Sequence, residues 1–398
     1  MKTLLFIFMT IAMLLWFLST LRRKPCQKKG CIDAIIPAYN EGPCLAQSLD
    51  NLLRNPYFCR VICVNDGSTD NTEAVMAEVK RKWGDRFVAV TQKNTGKGGA
   101  LMHGLKYATC DQVFLSDADT FVPPDNDGMG YMLAEIERGA DAVGGIPSTA
   151  LKGAGLLPHI RATVKLPMIV MKRTLQQFLG GAPFIISGAC GMFRTDVLRK
   201  FGFSDRTKVE DLDLTWTLVA NGYRIRRANR CIVYPQECNS PREEWRRWRR
   251  WIVGYAVCMR LHKRLLFSRF GIFSIFPMLL VVLYGVGIYL TTWFNEFITT
   301  GPHGVVLAMF PLIWVGVVCV IGAFSAWFHR CWLLVPLAPL SVVYVLLAYA
   351  IWIIYGLIAF FTGREPQRDK PTRYSALVEA STAYSQPSVT GTEKLSEA

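Results

Sequence analysis

An apolar run that ends in two carboxylates constrains this chain most. Val113-Phe114-Leu115 has the character of a buried strand, and Ser116-Asp117-Ala118-Asp119 follows it directly. In open α/β sheets, ligands bind just outside the carboxyl ends of the strands. Two acids at such a place are costly to desolvate unless a positive group lies on them, and a divalent cation carrying phosphate oxygens is the natural partner. A strand-to-loop turn with solvated aspartates is the alternative.

Strand-like and helix-like segments alternate between Cys31 and Ala228. The predicted strands are Ile32–Ile36, Val61–Val64, Phe87–Val90, Val113–Leu115, Ser187–Phe193 and Arg224–Ala228. The predicted helices are Pro43–Leu53, Thr72–Trp83, Gly96–Ala108 and Val209–Asn221. This alternation predicts an α/β fold with a doubly wound, mostly parallel sheet, and it places the functional loops on one edge of that sheet. Residues 141–188 are harder to interpret, although they contain a basic amphipathic run at His159–Gln177.

Long apolar segments flank the α/β region. Leu4–Leu18 is almost wholly apolar and is followed by Arg22-Arg23-Lys24, so residues 1–21 are predicted to be a transmembrane anchor with residue 22 onward in the cytoplasm. A cleaved signal peptide is the alternative, although its basic residues would precede the apolar core. The candidate C-terminal spans are Phe270–Phe294, Val305–Phe324 and Trp332–Phe361. We expect a transmembrane region at 270–362, with the number of passes left open, and a disordered cytoplasmic tail at 363–398.

The net charge of +15 is concentrated next to the apolar region. In Pro241–Leu266, Trp245, Trp248 and Trp251 recur every three residues among arginines, which predicts an interfacial amphipathic helix within 241–269. This location favours a cytoplasmic membrane surface over nucleic acid as the partner of the charge. The twelve cysteines lack metal-binding spacing and are predicted to be reduced, as in a cytosol-facing domain. We therefore expect an integral protein of the plasma or inner membrane, with a cytoplasmic catalytic domain at 30–240 and no nucleic-acid partner.

Several polar residues follow the predicted strands, at the edge where a phosphate-bearing ligand would bind. Asp66 follows a strand, where an Asx-turn before Gly67 is the commoner use of such a pair. Lys97 lies at a helix start after a glycine-rich turn, where anions bind favourably. Asp119 is the candidate ligand for a divalent cation such as Mg²⁺ or Mn²⁺, and Asp117 is a candidate for a share of the metal.

The ordered motifs resemble the family 2 glycosyltransferases, membrane-associated inverting enzymes that include chitin, hyaluronan, cellulose and poly-N-acetylglucosamine synthases. The resemblance covers about Ile32 to Trp251. It rests on the segments Ile36-Pro37-Ala38-Tyr39-Asn40-Glu41, Val64-Asn65-Asp66-Gly67-Ser68-Thr69-Asp70, Asn94-Thr95-Gly96-Lys97-Gly98-Gly99, Asp117-Ala118-Asp119, Ser187-Gly188-Ala189-Cys190-Gly191 and Val209-Glu210-Asp211. It implies a GT-A-like nucleotide-sugar fold with flanking transmembrane helices.

The resemblance also implies roles for individual residues. Asp211 would be the general base that accepts the proton of the acceptor hydroxyl. Nucleotide binding would involve Pro37, Tyr39, Glu41, Asp66, Lys97 and Asp117, with Asp66 accepting a hydrogen bond from a uracil N–H and Asp117 contacting the nucleotide hydroxyls or sharing the metal. Glu210, Arg250 and Trp251 would lie at the diphosphate and the acceptor, although Trp251 could equally anchor the helix in the membrane, and acids at a helix start are often only partners of the helix dipole.

One departure from the family leaves the acceptor open. Processive members carry Q-x-x-R-W on the interfacial helix, whereas here Arg247 or Glu244 stands at the Gln position, depending on the alignment. We expect transfer from a UDP-sugar to a growing β-linked polysaccharide, with N-acetylglucosamine or glucose as the unit. Transfer of a single sugar to a membrane lipid is the alternative, and homo-oligomerisation is left open. An inactive membrane scaffold would show damage at Asp119 or Asp211, and neither is damaged.

Overall fold

The computed structural model describes residues 2–151, 153–276 and 304–365. Eight strands form a single sheet in the order β3-β2-β1-β4-β7-β6-β8-β5. The strands are β1 (Ile32–Ala38), β2 (Phe58–Asn65), β3 (Phe87–Thr91), β4 (Gln112–Leu115), β5 (Thr120–Phe121), β6 (Ala142–Pro147), β7 (Gly191–Arg194) and β8 (Ile225–Pro235). The sheet is mixed rather than purely parallel, because β7 runs antiparallel to β4 and β6, and β5 antiparallel to β8.

Besides a 3₁₀ turn at Gly84–Arg86 and a π turn at Gly271–Ile275, the described residues form twelve helices. They are α1 (Lys2–Leu21), α2 (Gly42–Arg54), α3 (Thr72–Trp83), α4 (Gly96–Leu105), α5 (Gly128–Glu137), α6 (Leu156–Gly180), α7 (Thr195–Phe201), α8 (Glu210–Ala220), α9 (Pro241–Leu261), α10 (Lys263–Leu266), α11 (Gly304–His329) and α12 (Leu334–Thr362). The helix predicted at Thr72–Trp83 is confirmed at both ends, with Glu73 in its first turn and basic residues in its last turn, as the helix dipole favours.

The switch point of the sheet lies between β1 and β4. The chain builds β1, β2 and β3 outward in one direction and then returns to place β4 on the other side of β1. A crevice therefore opens at the carboxyl ends of β1 and β4, which is where ligands bind in sheets of this kind. The loop after β4 carries Asp117 and Asp119, so the fold places the acidic pair in that crevice.

The sequence-based expectations were incomplete between residues 120 and 202. β5, α5, β6 and α7 were not predicted, and Ser187–Cys190 forms a turn rather than the start of a strand. β6 contains two glycines and a proline, which are poor strand formers, yet it is buried along its whole length. At Gly145 a Cβ would lie 2.2 Å from Cys190 Sγ, so close packing against neighbouring strands requires a residue that local propensity disfavours.

The C-terminal helices pack on the α/β domain through α6 and α9. Ser325 Oγ on α11 donates a hydrogen bond to the carbonyl oxygen of Ala162 at 2.6 Å, and Tyr344 on α12 donates to the carbonyl of Leu157 at 3.3 Å. Trp245 of α9 contacts Tyr355 of α12 edge to face. α6, which is the basic amphipathic run, is thus held between the sheet and the apolar helices.

Among the described residues, α12 is the one helix long and apolar enough to cross a bilayer, and Ile11–Leu21 and Val315–His329 are shorter apolar stretches. A 3₁₀ turn at Ala338–Ser341, which contains Pro339, and a π turn at Trp352–Gly356 interrupt α12. Three predicted segments lie outside the described residues. They are the part of the predicted span 270–294 beyond residue 276, most of the loop after that span, and the tail from residue 366. Membrane insertion of residues 1–21 and 270–362 stays a prediction, as does an interfacial position for 241–269.

Candidate active site

All the sequence-predicted site residues line one cavity. It has a volume of about 1740 Å³ and lies at the carboxyl edge of the sheet, between α6, α8 and α9. Its walls include Pro37, Tyr39, Glu41, Asp66, Lys97, Asp117, Asp119, Glu210, Asp211, Arg250 and Trp251. The far wall is apolar and is formed by α1, α11 and α12. The cavity therefore joins a charged end to an apolar end.

The acidic pair after β4 is held in place by neighbouring strands. Asp119 is 8% exposed, and its carbonyl oxygen accepts a hydrogen bond from the amide of Gln236 at 3.0 Å, which ties it to the end of β8. Asp117 is more open and pairs with Lys97, whose Nζ lies 2.5 Å from Asp117 Oδ1. The two carboxylates thus differ in environment, as their separate predicted roles require.

Lys97 joins the acidic pair to the start of α8. Its Nζ lies 3.6 Å from Glu210 Oε1 as well as against Asp117, and its side chain is 14% exposed. α4 begins at Gly96, whose φ of +85° favours glycine, and this turn directs Lys97 into the cavity. The Lys97 side chain thus lies between the loop after β4 and the first turn of α8.

Asp66 organises the loop that precedes Lys97. Its Oδ1 accepts hydrogen bonds from the Thr95 amide and Gln92 Nε2, both at 2.8 Å, and its Oδ2 accepts from the Gly96 amide at 2.9 Å. The side chain lines the cavity but is 3% exposed. The contact of Asp66 with a uracil N–H stays a prediction. The hydrogen bonds that Asp66 accepts fix the loop that leads to Lys97.

Asp211 lies at the first turn of α8, with its carboxylate in the cavity. Oδ2 accepts a hydrogen bond from the Gly188 amide at 2.9 Å, and Oδ1 accepts one from the Leu212 amide at 2.9 Å. Burial raises the pKa of Asp211, the charges of Glu210 and Asp117 raise it further, and Lys97 and the Gly188 amide oppose the rise. A carboxylate with a raised pKa and a fixed orientation is suited to accept a proton.

The other acid of this turn, Asp213, has a structural role. It is 2% exposed and accepts hydrogen bonds from Arg206 Nη2 at 2.8 Å and from Ser204 Oγ, and its Oδ1 lies 2.6 Å from His262 Nε2. Burial alone would raise the pKa of Asp213, but the bonds from His262, Ser204 and Arg206 hold it below its usual value. Asp213 therefore joins α8 to the end of α9, and it does not line the cavity.

Gly188 is required by the close approach of Lys97 to Asp211. A Cβ at this position would lie 2.8 Å from Lys97 Nζ and 3.6 Å from Asp211 Oδ2. We expect Gly188→Ala to displace the lysine and to lower kcat/KM by about 10–100-fold, because small misplacements of catalytic groups cost this much. Steady-state kinetics would measure the loss. The midpoint of thermal unfolding should change little, since only the flexible end of a side chain must move.

The matched control for this change is Gly155→Ala. A Cβ at Gly155 would make only ordinary contacts, the closest being 3.6 Å from Asn239 Oδ1. Equal activity losses in the two variants would contradict the role given to Gly188.

A buried ionic cluster positions α9, which carries Arg250 and Trp251. Arg161 Nη1 lies 2.8 Å from Glu237 Oε2 and 3.1 Å from Glu244 Oε1, so it joins α6 to the end of β8 and to α9. Lys165 and Arg247 also pair with Glu237, at 2.5 and 2.9 Å. Trp248 Nε1 donates to Glu244 at 2.8 Å. In one alignment, Glu244 stands at the Gln position of the processive enzymes. In this structure it is part of the ionic cluster that holds α9.

We expect Glu237→Ala to lower the free energy of unfolding by about 3–5 kcal/mol, because it leaves three buried cations with one carboxylate fewer. Burial acts to raise the pKa of Glu237, but the nearby Arg161 and Lys165 hold this pKa below its usual value. The stabilisation by Glu237 is therefore present above the unfolded pKa of a glutamate and is lost as the pH falls through the lower folded value. Thermal unfolding of the purified protein across pH 3–7 would measure both effects, and the exposed Glu78→Ala is the control.

The donor set at β4 fits a divalent cation that is shared with a substrate. Asp119 and Asp117 supply hard carboxylate oxygens, and Mg²⁺ is typically bound by one or two carboxylates together with substrate phosphates. Asp119, nearly buried and pointing into a polar end of the cavity, would hold such an ion, with Asp117 beside it.

A second cluster of potential ligands lies at the opposite edge of the sheet. Asp33, Cys59 and Cys110 offer ligand atoms within 4.8 Å of one another. Asp33 Oδ2 already accepts hydrogen bonds from the Thr109 and Cys110 amides at 2.6 and 2.9 Å, and from Arg60 at 3.2 Å. This carboxylate holds the start of β1 to neighbouring loops. All twelve cysteines are free thiols, in agreement with the sequence-based expectation.

Sequence reasoning missed part of the cavity wall. Lys172 and Arg173 of α6 and Tyr255 of α9 line it, although none was proposed as a site residue. The basic amphipathic run His159–Gln177 was the signal that could have found the two cations. Its position over the cavity depends on packing between α6 and the C-terminal helices, which the local pattern does not encode.

Comparison with known proteins agrees with this architecture. Residues 33–202 match the family described as glycosyl transferase family 2. The chain is 97% identical, over the full length of both proteins, to a protein of Escherichia coli (strain K12) described as uncharacterized glycosyltransferase YaiP. It is 30% identical over 234 residues to a poly-beta-1,6-N-acetyl-D-glucosamine synthase of Staphylococcus aureus (strain COL), covering 58% of this chain and 56% of that one.

A solved structure shows the same fold at low sequence identity. The mannosyltransferase PcManGT from Pyrobaculum calidifontis, in complex with GDP-Man and Mn²⁺, superposes with a TM-score of 0.57 at 18% identity, covering 89% of this chain and 96% of that one. The similarity to the Escherichia coli protein over the whole chain and the family match over residues 33–202 agree with each other. The chain therefore belongs to glycosyl transferase family 2 and is a glycosyltransferase.

Proposed function

We propose that the protein is a membrane-bound inverting glycosyltransferase that transfers a sugar from a UDP-sugar to a growing β-linked polysaccharide. The observation that carries this proposal is the single cavity that contains Asp119, Lys97 and Asp211 together with Arg250 and Trp251 of α9. The 30% identity to a poly-N-acetylglucosamine synthase supports a polysaccharide product, and N-acetylglucosamine and glucose are the proposed units.

The donor occupies the edge formed by β1, β2 and β4. Pro37, Tyr39 and Glu41 line the base and ribose end of the cavity, with Asp66 behind them. Asp117 and Lys97 lie on the diphosphate side, and Arg250 adds a guanidinium that can contact two phosphate oxygens. When bound at Asp119, Mg²⁺ or Mn²⁺ would supply Lewis-acid stabilisation of the diphosphate charge.

Transfer is a direct displacement at the anomeric carbon. The acceptor hydroxyl forms the new C–O bond while the bond from that carbon to the diphosphate breaks, and the configuration inverts. The hydroxyl proton passes to Asp211, and the bonding electrons leave with UDP. Amides of Gly188 and Leu212 hold the carboxylate in orientation, while Lys97 compensates the acids beside it. Trp251 offers a ring face for the acceptor sugar, with Glu210 on the other side of Lys97.

The proposed location is the plasma or inner membrane, with the domain 30–240 in the cytoplasm. The apolar α12, the apolar stretches of α1 and α11, and the arginines of α9 support it. Bilayer lipids are then partners of the protein, and self-association is compatible with the few apolar helices among the described residues.

Transfer of a single sugar to a membrane lipid is the second candidate. Two observations favour it: Glu244 replaces the Gln of processive enzymes in one alignment, and the cavity continues to the apolar helices α1, α11 and α12. A lipid acceptor would enter from that side.

Membranes that contain the full chain, incubated with a panel of labelled UDP-sugars and Mn²⁺, test these proposals. High-molecular-weight label is the expected result for polysaccharide synthesis, and label that extracts into organic solvent identifies lipid transfer. Incorporation from GDP-sugars alone would contradict the donor assignment. The transferase proposal would fail if wild-type membranes incorporated no label from any sugar nucleotide and so did not differ from Asp211→Asn membranes.

A further inference from the structure

Three cations at the α6 side of the cavity have no carboxylate partner among residues 2–151, 153–276 and 304–365. They are Lys172 and Arg173 of α6 and Arg227 of β8, and we call them the α6 cation cluster. Lys172 and Arg173 line the cavity, and Arg227 lies beneath α6 and is 3% exposed. Elsewhere around the cavity, cations such as Lys97, Arg161 and Lys165 have ion pairs with acids.

Among the described residues, the hydrogen bonds and the ring contact of this cluster are with neutral groups. Arg227 donates to the carbonyls of Ile169 and Val170 at 2.9 and 3.2 Å and to Thr174 Oγ1 at 2.6 Å. Lys172 Nζ lies 5.5 Å from the ring centroid of Phe184. Within the described part of the chain, Arg173 Nη1 and Arg227 Nε are buried without a hydrogen-bond partner.

This concentration of charge is costly in the protein alone. Burial, with repulsion from Arg173, lowers the pKa of Lys172 to about 8 and that of Arg227 to about 9. Three apolar side chains would pack here without that cost. A bound anion would offset this cost of burying the cations, because charge-assisted hydrogen bonds to phosphate are strong where water is excluded.

The cluster lies on the acceptor side of the reaction centre. The described groups that attract Arg173 electrostatically include Tyr255 and Asp211, whereas the donor-side acids Asp117 and Glu210 pair with Lys97. An anion at the cluster would therefore be on the Asp211 side of the cavity, apart from the ion pairs of Lys97 at the carboxyl end of β4, where the diphosphate of the donor is expected.

An apolar channel continues from the cluster. Met168 and Met171 of α6 are 51% and 66% exposed and line the cavity together with Met13, Leu14 and Phe17 of α1. Trp16 packs on Phe178, which sets α1 beside α6 and leaves the channel between them. A hydrocarbon chain attached to an anion at the cluster would bury these side chains.

We infer that the α6 cation cluster binds a phosphate group carried by a lipid-linked acceptor, with the hydrocarbon chain between α1 and α6. The inference rests on the proposed transferase function, since the acceptor's hydroxyl attacks the anomeric carbon, its proton passes to Asp211, and UDP leaves. The phosphate is not consumed; it holds the acceptor. A lipid-linked acceptor is compatible with either a single transfer or the start of a polymer.

Binding of dodecyl phosphate to the full-length protein in neutral detergent tests this inference without turnover. Titration calorimetry is expected to show dodecyl phosphate binding at least tenfold more tightly than inorganic phosphate, with dodecyl maltoside giving no heat. Lys172→Gln and Arg173→Gln are each expected to weaken dodecyl phosphate binding by about 10–100-fold, the usual size for a lost bond to a charged group. Lys172→Arg should restore most of the affinity.

The control is Arg242→Gln, an exposed arginine in the first turn of α9, which should bind dodecyl phosphate like the wild type. Equal losses in this control would mean that the probe adheres to the basic surface, and the inference would fail. Equal affinity for inorganic phosphate and dodecyl phosphate would contradict the part of the inference that assigns a hydrocarbon chain to the site. If Lys172→Gln weakened UDP binding rather than dodecyl phosphate binding, the cluster would belong to the donor.

Transfer assays separate failure of this inference from failure of the transferase proposal. Wild-type protein that transfers label to neutral oligosaccharides but does not bind dodecyl phosphate would overturn the lipid-phosphate subsite alone. Protein that binds dodecyl phosphate through Lys172 and Arg173 but transfers no sugar would overturn the proposed function and leave the subsite in place.

Discussion

Asp211→Asn is expected to lower kcat by about 10²–10⁴-fold, the usual contribution of a general base. The amide cannot accept the proton of the attacking hydroxyl, but it keeps the size of the side chain. Its oxygen can still accept the hydrogen bond that Gly188 donates at 2.9 Å. Affinity for UDP, measured by calorimetry, should therefore change little. Glu73→Gln is the matched control, because Glu73 is also an acid in the first turn of a helix but is exposed on α3.

The pH profile gives this assignment a second, independent test. Because burial and the acids Glu210 and Asp117 raise the pKa of Asp211, kcat/KM should fall with decreasing pH at a higher pH than for an ordinary aspartate. Lys97→Gln removes a charge that lowers this pKa, so the acid limb should move to still higher pH. An acid limb that kept its position in Lys97→Gln, or an active Asp211→Asn, would show that another group accepts the proton.

Asp119→Asn is expected to lower kcat/KM by about 10²–10³-fold, comparable to the loss of one electrostatic stabiliser of a leaving oxygen. The neutral amide is a weaker ligand for a hard cation, so the dependence of UDP binding on Mn²⁺ should also be lost. Titration of Mn²⁺ against the protein with UDP, followed by electron paramagnetic resonance, would measure this directly. Asp117→Asn should have a different effect, because its carboxylate pairs with Lys97.

The control for Asp119 lies in the same loop region. Asp125 is an exposed aspartate a few residues further along the chain, so Asp125→Asn removes an equal charge without touching the cavity. If Asp119→Asn kept its Mn²⁺-dependent UDP binding, residues other than Asp119 would have to bind the metal. Equal losses in both variants would instead indicate a general effect of charge.

The two ends of the cavity explain why the acceptor is the harder question. The proposed donor end is formed by loops that follow β1, β2 and β4, and its acids pair with Lys97. The proposed acceptor end is formed by α6, α9 and the apolar helices, where the α6 cation cluster has no ion pair with a carboxylate among the described residues. The proposed donor site follows the motifs of the family, whereas the proposed acceptor site depends on this chain's own packing.

Many of the catalytic features could be predicted from the sequence because they depend on local patterns. Strand ends marked by Pro37, Asp66 and Asp117 identify loops, and parallel strands bring such loops to one edge whatever joins them. The helix of Thr72–Trp83 was predicted at both ends because its amphipathic pattern and its charged termini agree. By contrast, β6 was missed, since Gly144 and Gly145 oppose strand propensity and are required only by the packing of its neighbours.

The sequence by itself determined the α/β class, the edge at which the acids meet and many of the residues that line the charged end of the cavity. Only the tertiary structure decided that Asp66 holds the loop before Lys97, that Asp213 pairs with His262, and that Glu244 belongs to an ionic cluster with Arg161. It also decided that α6 crosses the cavity with its cations inside. The physical reason is sequence separation: these contacts join segments far apart in the chain, and their energies depend on burial and charge pairing that no local pattern records.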